Sequence, residues 1–99
     1  MASVGVLVRF EAKPAKVDEV EAFLSALAAQ VQHEESTIAW FGFRLGPETF
    51  GVFHAFSDEA SREAHLAAAG EAVRAKGSEL FTAAPVVDLV DTVAAKLPA

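Results

Sequence analysis

The sequence predicts a single α+β domain with the element order βαββαβ, in which two helices pack on one face of a four-stranded antiparallel sheet. Three observations lead to this prediction. Apolar residues recur in four short segments typical of strands and, at three-and-four spacing, in two longer segments typical of helices. A Gly-Pro pair separates the two central strand segments, as in a hairpin. The 99 residues leave room for one domain only, which we assign to residues 1–99.

The first strand and the first helix occupy the N-terminal third of the chain. Residues 4–12 carry three valines and a phenylalanine on one parity, a period typical of a strand. Pro14 fits the first turn of a helix, where its missing N–H is harmless, and apolar residues then recur at helical spacing. We therefore expect a helix over residues 14–33 and a turn at residues 34–36.

An aromatic hairpin follows, with strands over residues 37–45 and 49–56. Most aromatic residues of the chain lie in it: Trp40, Phe41, Phe43, Phe50, Phe53 and Phe56. They occupy both parities, so both faces of the hairpin need an apolar cover. Because two helices cover only one face, the sequence predicts a homodimer in which a second copy covers the other.

The second helix and the last strand complete the order. Ser57 fits a helix N-cap, and the helical pattern continues over residues 57–69. Gly70 is expected to interrupt the helix before a further helical segment over residues 71–81. The last strand, over residues 86–93, follows a proline. This arrangement is that of ferredoxin-like folds.

Composition excludes several classes of function. The formal charge is −6 and the few basic residues are scattered, so nucleic acid is not an expected partner. The chain has no cysteine, which excludes disulfides, thiolate metal sites and a cysteine nucleophile. No apolar run is long enough for a membrane span or an export signal, so we expect a cytoplasmic protein without a membrane partner.

Two segments carry a family resemblance: VLVRFEAKPAKVDEVEAFLSAL (residues 6–27) and FGVFHAFSDEASREAHLAA (residues 50–68). In the second, an aromatic strand end is followed nine residues later by a helical histidine, His65. The sequence resembles the antibiotic biosynthesis monooxygenase domain family, which includes small quinol monooxygenases. The resemblance implies a dimeric α+β barrel that oxidises a quinol or polyketide-type phenol with molecular oxygen and no cofactor. His65 is the residue that matches the family's histidine.

Oxygenation without a cofactor needs a base and an apolar cavity, because the substrate itself must become an electron-rich anion. Histidine is the natural base near neutral pH, with an ordinary pKa near 6.5. We therefore identify His65 and His54 as candidate catalytic residues, acting as base or orienting group. The candidate substrate contacts are aromatic, aliphatic and cationic side chains of the hairpin: Trp40, Phe56, Val52 and Arg44.

Structural interpretations of these residues remain open. His54 lies on one strand face with apolar neighbours, where it could be a core or interface histidine satisfied by a hydrogen bond. Trp40 and Phe56 could be plain core, and Arg44 could form an ion pair with Glu48 at the rim.

Two other functions also remain open. The chain has Phe56 where many family members carry Trp, His54 where they often carry an acidic residue, and no Asn or Tyr. These departures favour a non-catalytic barrel that binds a small aromatic molecule. A haem-binding or haem-degrading relative would use His65 as an iron ligand. The three histidines lie far apart in sequence without carboxylates at ligand spacing, so no metal motif is predicted.

Overall fold

A computed structural model describes residues 3–97 of the chain. The elements are β1 (Val4–Glu11), a 3-10 turn (Pro14–Lys16), α1 (Val17–Val31), β2 (Thr37–Arg44), β3 (Thr49–Phe56), α2 (Glu59–Leu80) and β4 (Val86–Asp91). The four strands form one antiparallel sheet in the order β2-β3-β1-β4. The predicted ferredoxin-like fold is confirmed. Among the described residues, no helix has the length and apolar character needed to cross a membrane.

Three details of the helices differ from the sequence expectation. Pro14 begins a 3-10 turn, and the α-helix starts only at Val17. Asp58, not Ser57, caps α2, because its carboxylate accepts a hydrogen bond from the backbone N–H of Ser61 at 2.8 Å. Gly70 does not interrupt α2, which runs unbroken over 22 residues. A glycine inside a helix costs only about 1 kcal/mol, which packing of the helix on the sheet offsets.

One sheet face is covered by the two helices. In the observed register, Val6 of β1 lies opposite His54 of β3, and His54 lies opposite Trp40 of β2. Directly opposed residues share a face, so these three side chains point toward the helices. Buried apolar residues from both helices and the sheet form the main core there: Phe10, Val20, Leu24, Phe50, Val52, Leu80 and Phe81.

The opposite sheet face carries several large apolar side chains and is uncovered in the single chain. Phe41 and Phe53 are paired across β2 and β3 on this face, and Leu7 of β1 lies beside Phe53. The side chain of Phe41 is 62% exposed. The ring of Phe43 lies over Gly51, where any side chain would collide with it. The hairpin aromatics therefore occupy both faces, as their alternation predicts.

Candidate functional site

A cavity of about 380 Å³ lies between the two helices and the sheet. We call it the histidine cavity. Its walls are mostly aliphatic and aromatic, and its polar lining comes from Gln30, Glu34, His54, His65 and Arg74. An apolar cleft of this size with a few convergent polar groups is typical of a site for a small molecule.

The two candidate catalytic histidines meet in this cavity. His54 projects from β3 and His65 from α2, and their ring centroids are 4.7 Å apart with the planes at 79°. Both side chains are buried. Phe56 is fully buried against both imidazoles, with centroid distances of 5.1 and 5.2 Å, but it does not line the cavity. Phe56 therefore holds the two histidine rings in position. The sequence predicted that it contacts a substrate ring, but the structure does not place it at the cavity.

A third polar residue completes the cluster. The carboxylate of Glu34, in the turn after α1, lies 2.7 Å from Nδ1 of His65. The same carboxylate accepts a hydrogen bond from Oγ1 of Thr37 at 3.2 Å, which helps to fix its position. With its proton on Nδ1, His65 donates to Glu34 and keeps a lone pair on Nε2 that can accept a proton.

Glu34 was not among the residues singled out from the sequence, which placed it only in a turn. Its contact with His65 joins positions 31 residues apart, and no local spacing predicts such a pair. One signal was available. A carboxylate at the C-terminal end of a helix lies where the helix dipole disfavours negative charge, so its presence there suggests another role.

His54 is held in the neutral form. The pKa of His54 is lowered to about 4, mainly because the side chain is buried and also because His65 lies beside it. Glu34 has a smaller effect that raises this pKa. Neither ring nitrogen of His54 has a hydrogen-bond partner within residues 3–97. A buried polar group without a partner costs about 1–3 kcal/mol. The interpretation of His54 as a core histidine whose ring is satisfied by a hydrogen bond is therefore wrong for the single chain. A bound ligand could supply the missing partner.

The lowered pKa of His54 predicts a pH-dependent loss of stability. The unfolded chain binds a proton on this histidine near pH 6.5, whereas the folded chain binds it only near pH 4. Between these values the unfolded state holds more protons, so the free energy of unfolding falls as the pH falls, by up to about 3 kcal/mol. Urea titrations from pH 7 to pH 4 should show this loss in the wild type, and His54→Phe should lack that part of it. Identical pH dependence in both proteins would contradict the burial argument.

The other predicted substrate contacts divide into two groups. Trp40 and Val52 line the histidine cavity, and Gly42 leaves room for the indole, since a methyl group there would lie 3.3 Å from the ring. Arg44 lies outside the cavity. Its guanidinium pairs with Glu21 at 2.6 Å and lies 4.9 Å from the ring centre of Phe50. The ion pair with Glu48 that the sequence left open is therefore not formed, and the partner of Arg44 is Glu21 on α1 instead.

Metal ligation has no support in the part of the chain that the structure describes. No group of three or more histidine, aspartate or glutamate side chains within residues 3–97 could hold a metal ion. In this cluster, the Glu34 carboxylate orients the imidazole of His65. The neutral imidazole of His54 lies beside it. Such a cluster can accept a proton from a ligand in the cavity and can hydrogen-bond to that ligand.

Comparison with known proteins gives solved structures only. No protein-family model and no curated protein sequence matches the chain. NE2512, a protein of unknown function from Nitrosomonas europaea, is 42% identical, with a TM-score of 0.93 over 100% of this chain and 97% of that chain. A candidate antibiotic biosynthesis monooxygenase from Caulobacter crescentus is 23% identical, with a TM-score of 0.80, covering 94% of this chain and 92% of that chain.

A further structure, described as an antibiotic biosynthesis monooxygenase, is 21% identical, with a TM-score of 0.77 over 92% of this chain and 99% of that chain. At these identities the two monooxygenase structures share the fold of this chain. They agree with the resemblance drawn above from residues 6–27 and 50–68.

Proposed function

The chain belongs to the same family as NE2512 of Nitrosomonas europaea and has the fold of antibiotic biosynthesis monooxygenases, and from this premise we propose that it is a cofactor-independent monooxygenase. Its substrate class is a quinol or a polyketide-type phenol, and its oxidant is molecular oxygen. The observation that supports this proposal best is the Glu34–His65 pair at 2.7 Å in the wall of an apolar cavity.

His65 is the proposed base. Its Nε2 takes a proton from the substrate, and Glu34 stabilises the imidazolium that results. The resulting anion is held among apolar walls, where it is poorly solvated and therefore transfers an electron to oxygen more readily. Recombination of the radical pair forms a carbon–oxygen bond and gives a substrate peroxide, which takes up the proton from His65.

A second deprotonation, at the carbon that carries the peroxide, completes the reaction. The carbon–hydrogen electrons form the new carbonyl, the oxygen–oxygen bond breaks, and the departing hydroxide takes the proton to leave as water. One oxygen atom thus remains in the product, and the other is released as water. The substrate supplies all the electrons, so the step needs no further reductant.

His54 and Trp40 have supporting roles in this proposal. The neutral imidazole of His54, without a partner in the single chain, hydrogen-bonds the substrate oxygen as its charge develops. Trp40 offers a flat surface on which an aromatic ring can stack. A folded His54→Phe variant with unchanged activity would remove His54 from the mechanism.

The active form proposed here is a homodimer. The uncovered face carries Phe41 and Phe53, which a monomer would expose to water at a considerable free-energy cost. A second copy, packed sheet against sheet about a two-fold axis, would bury both patches at once. The interface is then opposite the histidine cavity, which stays accessible from the helical side.

Oxygen uptake tests the proposed activity. The purified protein, without added metal or cofactor, is incubated with a hydroquinone, an anthrone and a naphthol, and dissolved oxygen is recorded. We expect at least one compound to be oxidised faster than in buffer. If none is oxidised but a naphthol quenches the fluorescence of Trp40, the only tryptophan, the protein is a binding barrel and not an enzyme.

Haem binding is the remaining alternative, in which Nε2 of His65 would ligate the iron and Glu34 would orient the ring. A titration with hemin separates this case from the others. A Soret shift that disappears in His65→Ala would favour haem as the ligand of the histidine cavity.

A further inference from the structure

The solvent end of the histidine cavity carries an arginine. Of the residues within 3–97 that line the cavity, Arg74 is the one with a permanent positive charge. Its side chain is 68% exposed, and Nη2 donates a hydrogen bond to the carboxylate of Glu71 at 2.7 Å, one turn earlier on α2. Exposed ion pairs of this kind are worth at most about 1 kcal/mol, so another carboxylate can compete for the guanidinium.

Gly70 brings this guanidinium close to the cavity wall. A methyl group built on Gly70 would lie 3.2 Å from Nη1 of Arg74, closer than an ordinary contact, so the guanidinium lies directly over this glycine. The side chain therefore runs back along α2 toward His65, the direction in which helical side chains lean. Gly70 itself also lines the cavity.

Building on the proposed function, we propose that Arg74 selects aromatic substrates bearing a carboxylate at the end opposite to the hydroxyl that His65 deprotonates. Gly70 lies five residues after His65, a rise of about 7.5 Å along the helix axis at 1.5 Å per residue. One or two fused rings span such a distance. The substrate class is thus a hydroxyaryl carboxylate, whose rings lie on the apolar wall between the two polar ends.

The charges of the cavity favour this orientation over its reverse. At the inner end, a carboxylate would be repelled by the Glu34 carboxylate and would lose most of its hydration, while the neutral imidazole of His54 offers a hydrogen bond but no positive charge. At the outer end, it meets Arg74 and remains in contact with water, so it loses little of its hydration. The hydroxyl end can enter the cavity at a much lower desolvation cost.

A matched ligand pair tests the proposal without requiring turnover. The affinities of 6-hydroxy-2-naphthoate and 2-naphthol, which differ only by the carboxylate, are measured by calorimetry in the absence of oxygen. We expect the wild type to bind the carboxylate about three- to tenfold more tightly, as for one partly exposed charge pair. Higher salt should reduce this ratio, because screening weakens the pair.

Three variants assign the preference to Arg74. Arg74→Gln should bring the ratio to about one, whereas Glu71→Gln should raise it, because the guanidinium loses its competing partner. Lys76→Gln is the control for net charge: Lys76 lies on the same helix, is exposed, pairs with Glu79 and does not line the cavity. It should leave the ratio unchanged.

The proposal is overturned if the wild type binds the two ligands equally, if Arg74→Gln keeps the ratio, or if neither ligand binds. Oxygen uptake separates these results from the proposed activity. Oxidation of a naphthol without any carboxylate preference would remove the role of Arg74 alone. A preference that depends on Arg74, in a protein that consumes no oxygen with either ligand, would remove the monooxygenase activity and leave the binding role intact.

Discussion

Replacing His65 with alanine is expected to lower the oxidation rate about a hundredfold to ten-thousandfold, the range found when a general base is removed. Nε2 of His65 is the proposed proton acceptor, and Glu34, 2.7 Å from Nδ1, holds the ring in the tautomer that leaves Nε2 free. Initial rates of oxygen uptake at saturating substrate measure the loss. Circular dichroism and sedimentation establish that the variant remains folded.

His33→Ala is the matched control, because His33 is exposed and does not line the histidine cavity. It should keep the wild-type rate. Glu34→Gln should give an intermediate rate, since an amide can still accept the Nδ1–H bond but does not stabilise the imidazolium by charge. A His65→Ala protein that loses stability in proportion to its activity, with no specific rate defect, would make His65 a structural residue.

The second large effect is expected from Phe41→Lys on the uncovered sheet face. Phe41 is 62% exposed in the single chain and lies beside Phe53, so the proposed dimer would bury it. In a two-fold interface the substitution occurs twice, and each lysine must be desolvated without a partner. We expect the dimer dissociation constant to rise at least about a thousandfold, which corresponds to about 4 kcal/mol.

Sedimentation velocity over a concentration series measures this change. Leu89→Lys serves as the control, since Leu89 is a large exposed apolar residue of β4 that lies opposite Val6, on the sheet face toward the helices. Its dimer should persist at micromolar concentration. A wild type that sediments as a monomer there would remove the homodimer from the account, whatever the variants do.

The sheet and the pairing of His54 with Trp40 follow from local patterns in the sequence. Strand alternation puts residues of one parity on one face, and the short hairpin fixes the register that places His54 opposite Trp40. His65 lies over the same face, because both helices of this fold must cover one side of the sheet. The two histidines of the site were therefore accessible to prediction.

Glu34 and Arg74 were not accessible in the same way. The position of Glu34 depends on where the end of α1 lies over the sheet, and the position of Arg74 depends on where the second half of α2 lies. The spacing of residues along the chain does not determine either placement. Arg44 illustrates the same limit. Its nearest acidic neighbour in sequence is Glu48, yet α1 brings Glu21 within 2.6 Å across the packed layers. Contacts between distant elements decide these pairs.

The proposed reaction is tested most directly by the fate of isotopically labelled oxygen gas. The wild-type protein, free of added cofactor, oxidises whichever of the three test compounds consumes oxygen fastest, under labelled oxygen in ordinary water, and the product is analysed by mass spectrometry. The account predicts one labelled oxygen atom per product molecule in the wild type and a rate at least about a hundredfold lower in His65→Ala. A product that carries no label, or no product above the level formed in buffer, would contradict the account.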